Sequence, residues 1–443
     1  MKIPLARASI TDTSSPLRWH PAGDADPAIG RYERALAGLA SRSEDAIALS
    51  LRLPFCAAQC WCCERQVQVA QPSAVIDDYL SGLLDEIGRV AQKSGGRRDV
   101  LQLHLGGGSV NELNASQFAR LVHGLERAWH LPADAEMSVE CDPRLAGYVQ
   151  LGVLRGLGFR HVRFGVLDLD ETVQQAIGRR HSAALVDDVC GLARESRIEC
   201  IELELMLGLP HQTEERLRET LQRVLAMAPE RLRLSHFRHR PAQAPAQRAI
   251  EVAALPDADA HRRLAGLTAQ WLCEAGYHWL GADCFVLESD PLWLARERGT
   301  LRRSQHAYTA TPATPVLGLG AGATGDIDGC RIWNEPSVAL WRQALSAGGL
   351  PVAHVQPGSD EDDHRRRAVE SLWCDLELTQ DNARGPLAAG YERLAGLEAR
   401  GLVRRLEDRV VVTDAGRHEL AALCSELGDS PLAGFGQEIR WLC

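Results

Sequence analysis

From residue 46 to residue 237, short apolar runs alternate with longer stretches that have the apolar period of an amphipathic helix. The predicted strands are Ala46–Leu53, Val100–Leu105, Glu136–Cys141, His161–Val166, Ile201–Leu207 and Arg231–Phe237. The clearest predicted helices between them are Ala74–Lys93, Ala115–Trp129 and Glu214–Ala228. Parallel strands need long crossover connections, so this alternation predicts an α/β fold with a parallel sheet. Most of the runs end in glycine, proline or polar residues, as strands do at the functional face of a barrel.

The pattern changes on both sides of this region. Residues 1–45 are rich in Pro, Ser, Asp and Ala, with one helix predicted around Ile29–Ala40. A helix at Ala258–Ala275, an apolar run at His278–Phe285 and a glycine-rich stretch at Leu317–Gly325 follow the repeats. From residue 358 the pattern becomes helical with one short strand, Leu402–Thr413. We therefore predict an N-terminal extension (1–45), a barrel with additions (46–357) and a small α-rich C-terminal domain (358–443) of helix–turn–wing character.

Composition and charge exclude several classes of protein. Apolar residues are 45% and charged residues 24% of the 443 residues, which is ordinary globular composition. The formal net charge is −10, and four acidic residues (360–363) begin the C-terminal domain, so we expect no nucleic-acid partner. No apolar run approaches the roughly 18 residues of a membrane helix, and the first residues lack the apolar core of a secretion signal. We expect a cytoplasmic monomer without a membrane span.

Four of the thirteen cysteines fall within eight residues, directly after the first predicted strand, at positions 56, 60, 62 and 63. The spacing Cys56-x3-Cys60-x2-Cys63 supplies three thiolates from one loop and leaves one metal position open. Structural zinc normally has four ligands, and no nearby histidine or cysteine obviously completes such a site. A [4Fe–4S] cluster held by three cysteines leaves one iron free for another ligand. Cys62 offers a second spacing, Cys56-x3-Cys60-x-Cys62, and because adjacent side chains diverge we expect that Cys62 and Cys63 do not both bind one cluster.

This cysteine triplet resembles the core motif of the radical S-adenosylmethionine (SAM) enzymes. The resemblance implies a partial (β/α)6 TIM-like barrel, a [4Fe–4S] cluster on Cys56, Cys60 and Cys63, and SAM on the open iron. Gly107, in the glycine run after the second strand, and Glu140, at the end of the third, match the positions that hold the methionine group and the ribose of SAM. A tight turn is the alternative explanation of the glycines, but their position one strand after the cysteines favours the cofactor role. The alternative for Glu140 is a carboxylate satisfied by a neighbouring arginine such as Arg144, and we favour the ribose role because a ribose diol is a natural partner of an acidic residue.

A narrower resemblance covers nearly the whole chain. It rests on strings that occur in order: Leu53-Pro-Phe-Cys56, His104-Leu-Gly-Gly-Gly108, Glu140-Cys-Asp-Pro143, Phe164-Gly-Val-Leu-Asp168, Gly208-Leu-Pro-His-Gln-Thr213, Gly318-Leu-Gly320, Leu397-Glu-Ala-Arg-Gly-Leu-Val403 and Val412-Thr-Asp-Ala-Gly-Arg417. These strings resemble the oxygen-independent coproporphyrinogen III oxidases of haem biosynthesis. The resemblance implies oxidative decarboxylation of coproporphyrinogen III propionates to vinyl groups, giving protoporphyrinogen IX. It also implies a reduced flavodoxin or ferredoxin-like electron donor.

That family has a second SAM site, for which the resemblance implies Gly108, Ser109, Arg179 and Glu204. Arg179 has an alternative as a surface residue of a helix Thr172–Arg180. The chain departs from the family pattern mostly on the second-SAM and substrate side. The departing positions are Ser50, Arg52, Cys62, Arg65, Leu167, Glu204 and Arg238.

Arg238 stands where the family has a small residue, so we predict that one SAM binds rather than two. The alternative is an Arg238 side chain in solvent. Arg52, Arg179 and Arg238 are the candidates for holding substrate propionates, and no catalytic residue is assigned. Two other functions remain open at this point. One is a haem- or porphyrin-binding paralogue without decarboxylase activity, and the other is a radical SAM enzyme that acts on another substrate.

Overall fold

The computed structural model describes residues 27–427 except 43, 305, 306 and 313. Residues 1–26 of the predicted N-terminal extension and residues 428–443 of the predicted C-terminal domain lie outside the described residues. The strands, in chain order, are β1 Ile47–Leu53, β2 Phe55–Cys56, β3 Gln68–Val69, β4 Val100–Gly107, β5 Glu136–Cys141, β6 His161–Leu167, β7 Cys200–Leu207, β8 Arg231–His236, β9 His278–Trp279, β10 Cys284–Val286, β11 Arg302–Arg303, β12 Tyr308–Thr309, β13 Val316–Leu319, β14 Thr324–Ile327, β15 Cys330–Asn334, β16 Val352–Gln356, β17 Glu377–Thr379, β18 Val403–Arg405 and β19 Arg409–Val412.

The α-helices, in chain order, are α1 Pro27–Ala40, α2 Ser73–Lys93, α3 Ala115–Ala128, α4 Tyr148–Gly156, α5 Glu171–Ala176, α6 Ala183–Glu195, α7 Glu214–Ala226, α8 Ala258–Glu274, α9 Pro291–Glu297, α10 Val338–Ser346, α11 Asp360–Cys374, α12 Ala388–Gly396, α13 Asp414–Arg417 and α14 Leu420–Ser425. Polar side chains begin several of them. Asn114 and Gln117 form a capping box at α3, and Ser182 and Thr213 cap α6 and α7 by accepting from backbone N–H groups. None of the helices in the described residues is long and apolar enough to cross a membrane.

Six parallel strands form the centre of the sheet in the order β1-β4-β5-β6-β7-β8, with helices between them, which confirms the partial (β/α)6 barrel. Their bounds agree with the predicted strands to within two residues. The parallel arrangement brings the carboxyl ends of all six strands to one face, where βα loops place functional side chains.

Additional strands extend the sheet at both sides. On one side β13 pairs parallel with β1, and β14, β15 and β16 follow in antiparallel order. On the other side β10 pairs antiparallel with β8 and then with β9. The apolar run at His278–Phe285 supplies two short strands, because the chain turns between Trp279 and Cys284.

The C-terminal region has its own small sheet, in the order β17-β19-β18, packed with α11 to α14. The single strand predicted at Leu402–Thr413 is a hairpin of β18 and β19, since the chain turns back at residues 406–408, where Glu407 and Asp408 are polar. Its apolar core is shared with residues 280–308, including Leu292 and Tyr308. The domain boundary at residue 358 stays a prediction.

Candidate active site

The cysteine loop begins where β1 reaches the carboxyl face of the sheet. Cys56, Cys60 and Cys63 are each half-buried free thiols on this loop. The charges of these thiols influence one another, as expected for neighbours on one loop. Burial raises the pKa of the Cys63 thiol to about 11 and also raises that of Cys56. Ligation by iron requires thiolates, so binding of a cluster must displace these protons.

Cys62 is more deeply buried than the other three cysteines of the loop, although Cys60 packs against the same apolar cluster. The Cys62 side chain is 3% exposed and packs in an apolar cluster with Val173, Ile177, Leu209, Phe237 and Ile250. Leu167, another departure from the family pattern, packs against the same cluster. The two departures therefore lie in the same apolar environment.

The glycine run at residues 106–108 lies against the segment that leads into the cysteine loop. Gly108 N donates to the Leu53 carbonyl over 2.8 Å, and a Cβ on Gly108 would lie 2.1 Å from the Phe55 carbonyl oxygen. Gly107 has φ +114°, a conformation that side chains disfavour. Close backbone packing thus requires glycine here, and the same lack of side chains leaves the Gly107 carbonyl open to a donor.

Glu140 ends β5 and is held by two arginines. Its Oε2 accepts from Arg65 Nη1 over 2.7 Å and its Oε1 accepts from Arg163 Nη1 over 2.9 Å. His104 Nε2 lies 3.6 Å from Oε1. Burial alone would raise the pKa of Glu140, but Arg65, His104 and Arg163 outweigh it and hold that pKa well below its usual range. The carboxylate is therefore charged at neutral pH.

The arginine proposed from sequence as an alternative partner of Glu140 binds elsewhere. Arg144 Nε donates to Asp142 Oδ1 over 2.9 Å, and Arg179 Nη1 donates to Asp142 Oδ2 over 3.1 Å. Arg179 Nη1 also lies 3.4 Å from Cys60 Sγ, and Nη2 donates to the Gly165 carbonyl. The helix predicted at Thr172–Arg180 ends at Ala176, and the Arg179 side chain is 9% exposed. The surface-helix alternative for Arg179 is wrong, because the side chain turns inward to the cysteine loop.

The remaining predicted residues lie around this centre. The Ser109 hydroxyl lies 3.6 Å from Cys56 Sγ, so it contacts the cysteine loop. Glu204 is half-buried on β7, and its charge, after that of Glu140, raises the pKa of Arg65. Arg238 follows β8 and is half-buried. Burial raises the pKa of Glu64 on the cysteine loop, and the charge of Arg238 is among those that oppose this shift, so whether the Arg238 side chain faces the site or solvent stays a prediction.

Sequence reasoning missed two residues of this centre, Arg163 and Asp142. Side chains two positions apart in a strand share a face, so His161, Arg163 and Gly165 lie on one face of β6. This pattern could have placed Arg163 on the same face as the end of β5. Asp142 lies two residues after Glu140 in the same string and so shares the strand end. In the described residues no group of three or more His, Cys, Asp or Glu side chains is arranged around a single metal-ion position. The donor set of three thiols on one loop fits a cluster, in which each cysteine binds its own iron.

Comparison with known proteins agrees with this donor set. Residues 51–224 match the model of the radical SAM superfamily. The oxygen-independent coproporphyrinogen III oxidase of Bradyrhizobium diazoefficiens is 32% identical over 395 residues, which is 88% of this chain and 87% of that protein. The protein of the same name from Escherichia coli K12 is 31% identical over 88% of this chain and 87% of its own length. The solved structure of coproporphyrinogen III oxidase (HemN) from Escherichia coli, described as a radical SAM enzyme, has a TM-score of 0.84 with 30% identity and covers 90% of this chain and 93% of that one.

Fold, cysteine loop and matches together define a radical SAM enzyme. The chain belongs to the family of oxygen-independent coproporphyrinogen III oxidases. Its cofactors are therefore a [4Fe–4S] cluster and SAM.

Proposed function

We propose that this chain oxidatively decarboxylates two propionate side chains of coproporphyrinogen III to vinyl groups, giving protoporphyrinogen IX. The observation that supports the proposal is the arrangement of the cysteine loop, the glycine run and Glu140 at the carboxyl face of the barrel. There Cys56, Cys60 and Cys63 adjoin the glycine run, and Glu140 is held charged beside it. The relatives with this name match over more than four fifths of both chains, which supports the same activity.

We assign the cluster to Cys56, Cys60 and Cys63, and SAM to Gly107 and Glu140. When bound, these cofactors supply a 5′-deoxyadenosyl radical that takes a hydrogen atom from the propionate carbon β to the carboxylate. Carbon dioxide then leaves the propionate, and the remaining electron passes to an external acceptor. The apolar cluster around Cys62 and Leu167 keeps water from one side of the site, where water would compete for the radical.

The substrate has to be held by its carboxylates. Arg179 already binds Asp142 and the Gly165 carbonyl, so we assign it to positioning the cysteine loop rather than to a propionate. Arg238 and Arg52 remain the candidates, because guanidinium groups bind carboxylates with two parallel hydrogen bonds. We further propose that a porphyrinogen-type substrate enters at this face and that a reduced flavodoxin or ferredoxin-like protein donates the electron.

The test is anaerobic reconstitution with iron and sulfide, followed by dithionite, SAM and coproporphyrinogen III. We expect protoporphyrinogen IX with release of carbon dioxide and 5′-deoxyadenosine. Formation of 5′-deoxyadenosine without porphyrinogen turnover would contradict the proposal and indicate another substrate. Stoichiometric haem binding without SAM cleavage would contradict it and indicate a binding protein.

A further inference from the structure

The two carboxylate oxygens of Glu140 have partners of different kinds. Oε1 binds Arg163, whose side chain is 8% exposed and whose Nε donates to Glu202 Oε1 over 2.9 Å. Oε2 binds Arg65, whose side chain is 41% exposed. One oxygen is therefore bound by a buried arginine, which also binds Glu202. The other is bound by an exposed arginine on the cysteine loop.

Arg65 also contacts the second residue assigned to SAM. The same Nη1 that binds Glu140 donates to the Gly107 carbonyl over 3.0 Å. The ammonium and ribose hydroxyl groups of SAM are hydrogen-bond donors that would use these two acceptors. The Arg65 guanidinium thus fills the acceptors that the proposed function gives to SAM.

We propose that Arg65 occupies part of the SAM site and is displaced when SAM binds. Arg163 is then the positioning residue that keeps Glu140 in place when Arg65 leaves. This inference rests on the proposed function. The Arg65 side chain is 41% exposed, so its guanidinium can turn outward and replace these two acceptors with water. Arg163 has no such exit, because its departure would remove the buried arginine of Glu140 and one of the two buried arginines that pair with Glu202. The two arginines therefore affect SAM affinity in opposite directions.

The experiment is isothermal titration of SAM into the anaerobically reconstituted enzyme and its variants. We expect Arg65→Ala to bind SAM about threefold to tenfold more tightly than the parent enzyme, and Arg163→Lys to bind about tenfold more weakly. SAM carries a net positive charge, so removal of any arginine could attract it. Arg180→Ala, which removes an exposed arginine outside these contacts, controls for that general effect. Iron content and the electron paramagnetic resonance signal of the reduced cluster should be unchanged in all three variants.

Unchanged or weaker SAM binding by Arg65→Ala would overturn the inference, as would an equal gain in Arg180→Ala. Tight binding by Arg163→Lys would overturn the positioning role. Failure of the proposed function looks different, since the parent enzyme would then hold its cluster and bind no SAM, or would cleave SAM without using coproporphyrinogen III.

Discussion

Arg163 on β6 donates to Glu140 on β5 over 2.9 Å, and it joins that carboxylate to a row of buried charges that crosses the barrel. Arg163 also binds Glu202, Glu202 binds Arg233 over 2.7 Å, and Arg233 binds Asp283 over 2.8 Å. Acidic and basic side chains alternate along this row, so each charge has an opposite neighbour. The row fixes the orientation of the Glu140 carboxylate, because each side chain in the row is bound by the next one.

The row makes Arg233 important for stability. Its side chain is 4% exposed and pairs with both Glu202 and Asp283. Arg233→Ala would leave two buried carboxylates partly unpaired, which typically costs about 3–5 kcal/mol. We expect a clearly lower urea midpoint for this variant. Arg262→Ala removes an exposed ion pair with Asp259 and should stay close to the parent protein, within about 1 kcal/mol. Equal midpoints for the two variants would contradict the prediction.

We predict that Cys56, Cys60 and Cys63 each ligate the cluster and that Cys62 does not. Single Cys→Ala variants at the first three positions should lose most of their iron and the broad visible absorption after anaerobic reconstitution. Cys62→Ala is the matched control, since its thiol packs in an apolar cluster. It should keep the cluster and lose only stability. A full cluster in Cys63→Ala together with its loss in Cys62→Ala would reverse the assignment.

We predict that Glu140 contributes to SAM affinity and not to cluster assembly. A lost charge-assisted hydrogen bond costs roughly 1.5–3 kcal/mol, or about tenfold to a hundredfold in affinity. Glu140→Ala should therefore bind SAM that much more weakly, with normal iron content. Glu219→Gln, an exposed change on α7, should bind like the parent enzyme. Unchanged affinity in Glu140→Ala would show that the residue is structural.

We predict that one SAM molecule binds per cluster. Arg238 is half-buried after β8, at a position where the resemblance implies a small residue, and we expect its guanidinium to take up volume of the proposed second site. Equilibrium dialysis with labelled SAM should give one equivalent for the parent enzyme. Arg238→Ala should raise the stoichiometry toward two if the side chain alone blocks the site. Two equivalents in the parent enzyme would refute the prediction.

Glu86 predicts a pH dependence of stability. This α2 carboxylate is 1% exposed and accepts from Gly320 N, Asn334 Nδ2 and Trp341 Nε1, with no cation beside it among these partners. Burial raises the pKa of Glu86 to about 7. A raised folded-state pKa means that the folded protein binds the proton more tightly than the unfolded chain. The stabilisation of the folded protein that this tighter proton binding gives is full below about pH 4.5, the usual pKa range of glutamate. It is lost as the pH rises through about 7.

Urea midpoints between pH 5 and pH 8 test the effect. We expect the free energy of unfolding of the parent protein to fall relative to Glu86→Gln by about 3 kcal/mol at most across this range. Glu126→Gln, an exposed change on α3, removes a carboxylate outside this network and is the control. A parent and a Glu86→Gln variant with parallel pH profiles would contradict the shifted pKa.

The sequence predicts the barrel strands well because each is a short apolar run bounded by glycine or polar residues. Residues 316–327 were harder, since Gly318, Gly320 and Gly325 weaken the strand signal there. In the structure those glycines allow close approach to Thr324, Arg52 and Val316. The crowding of four cysteines in one loop is visible from the sequence, whereas the choice of Cys63 over Cys62 rests on the family resemblance. The partners of Glu140 were not, because Arg65 and Arg163 come from distant parts of the chain and only the folded barrel brings them together.

Arg303 extends the row of buried charges beyond Asp283, and its position has a consequence for how the enzyme can be handled. Its guanidinium lies 4.5 Å from the ring of Tyr308 and 4.2 Å from the ring of Trp373, which belongs to α11, and Nη1 lies 3.4 Å from Asp283. A chain cut before α11 would expose this cation, the Tyr308 ring and the apolar side chains of residues 280–308 at once. The barrel therefore cannot be expected to survive as a separate fragment, and a shortened protein should accumulate as insoluble material rather than as a smaller catalyst.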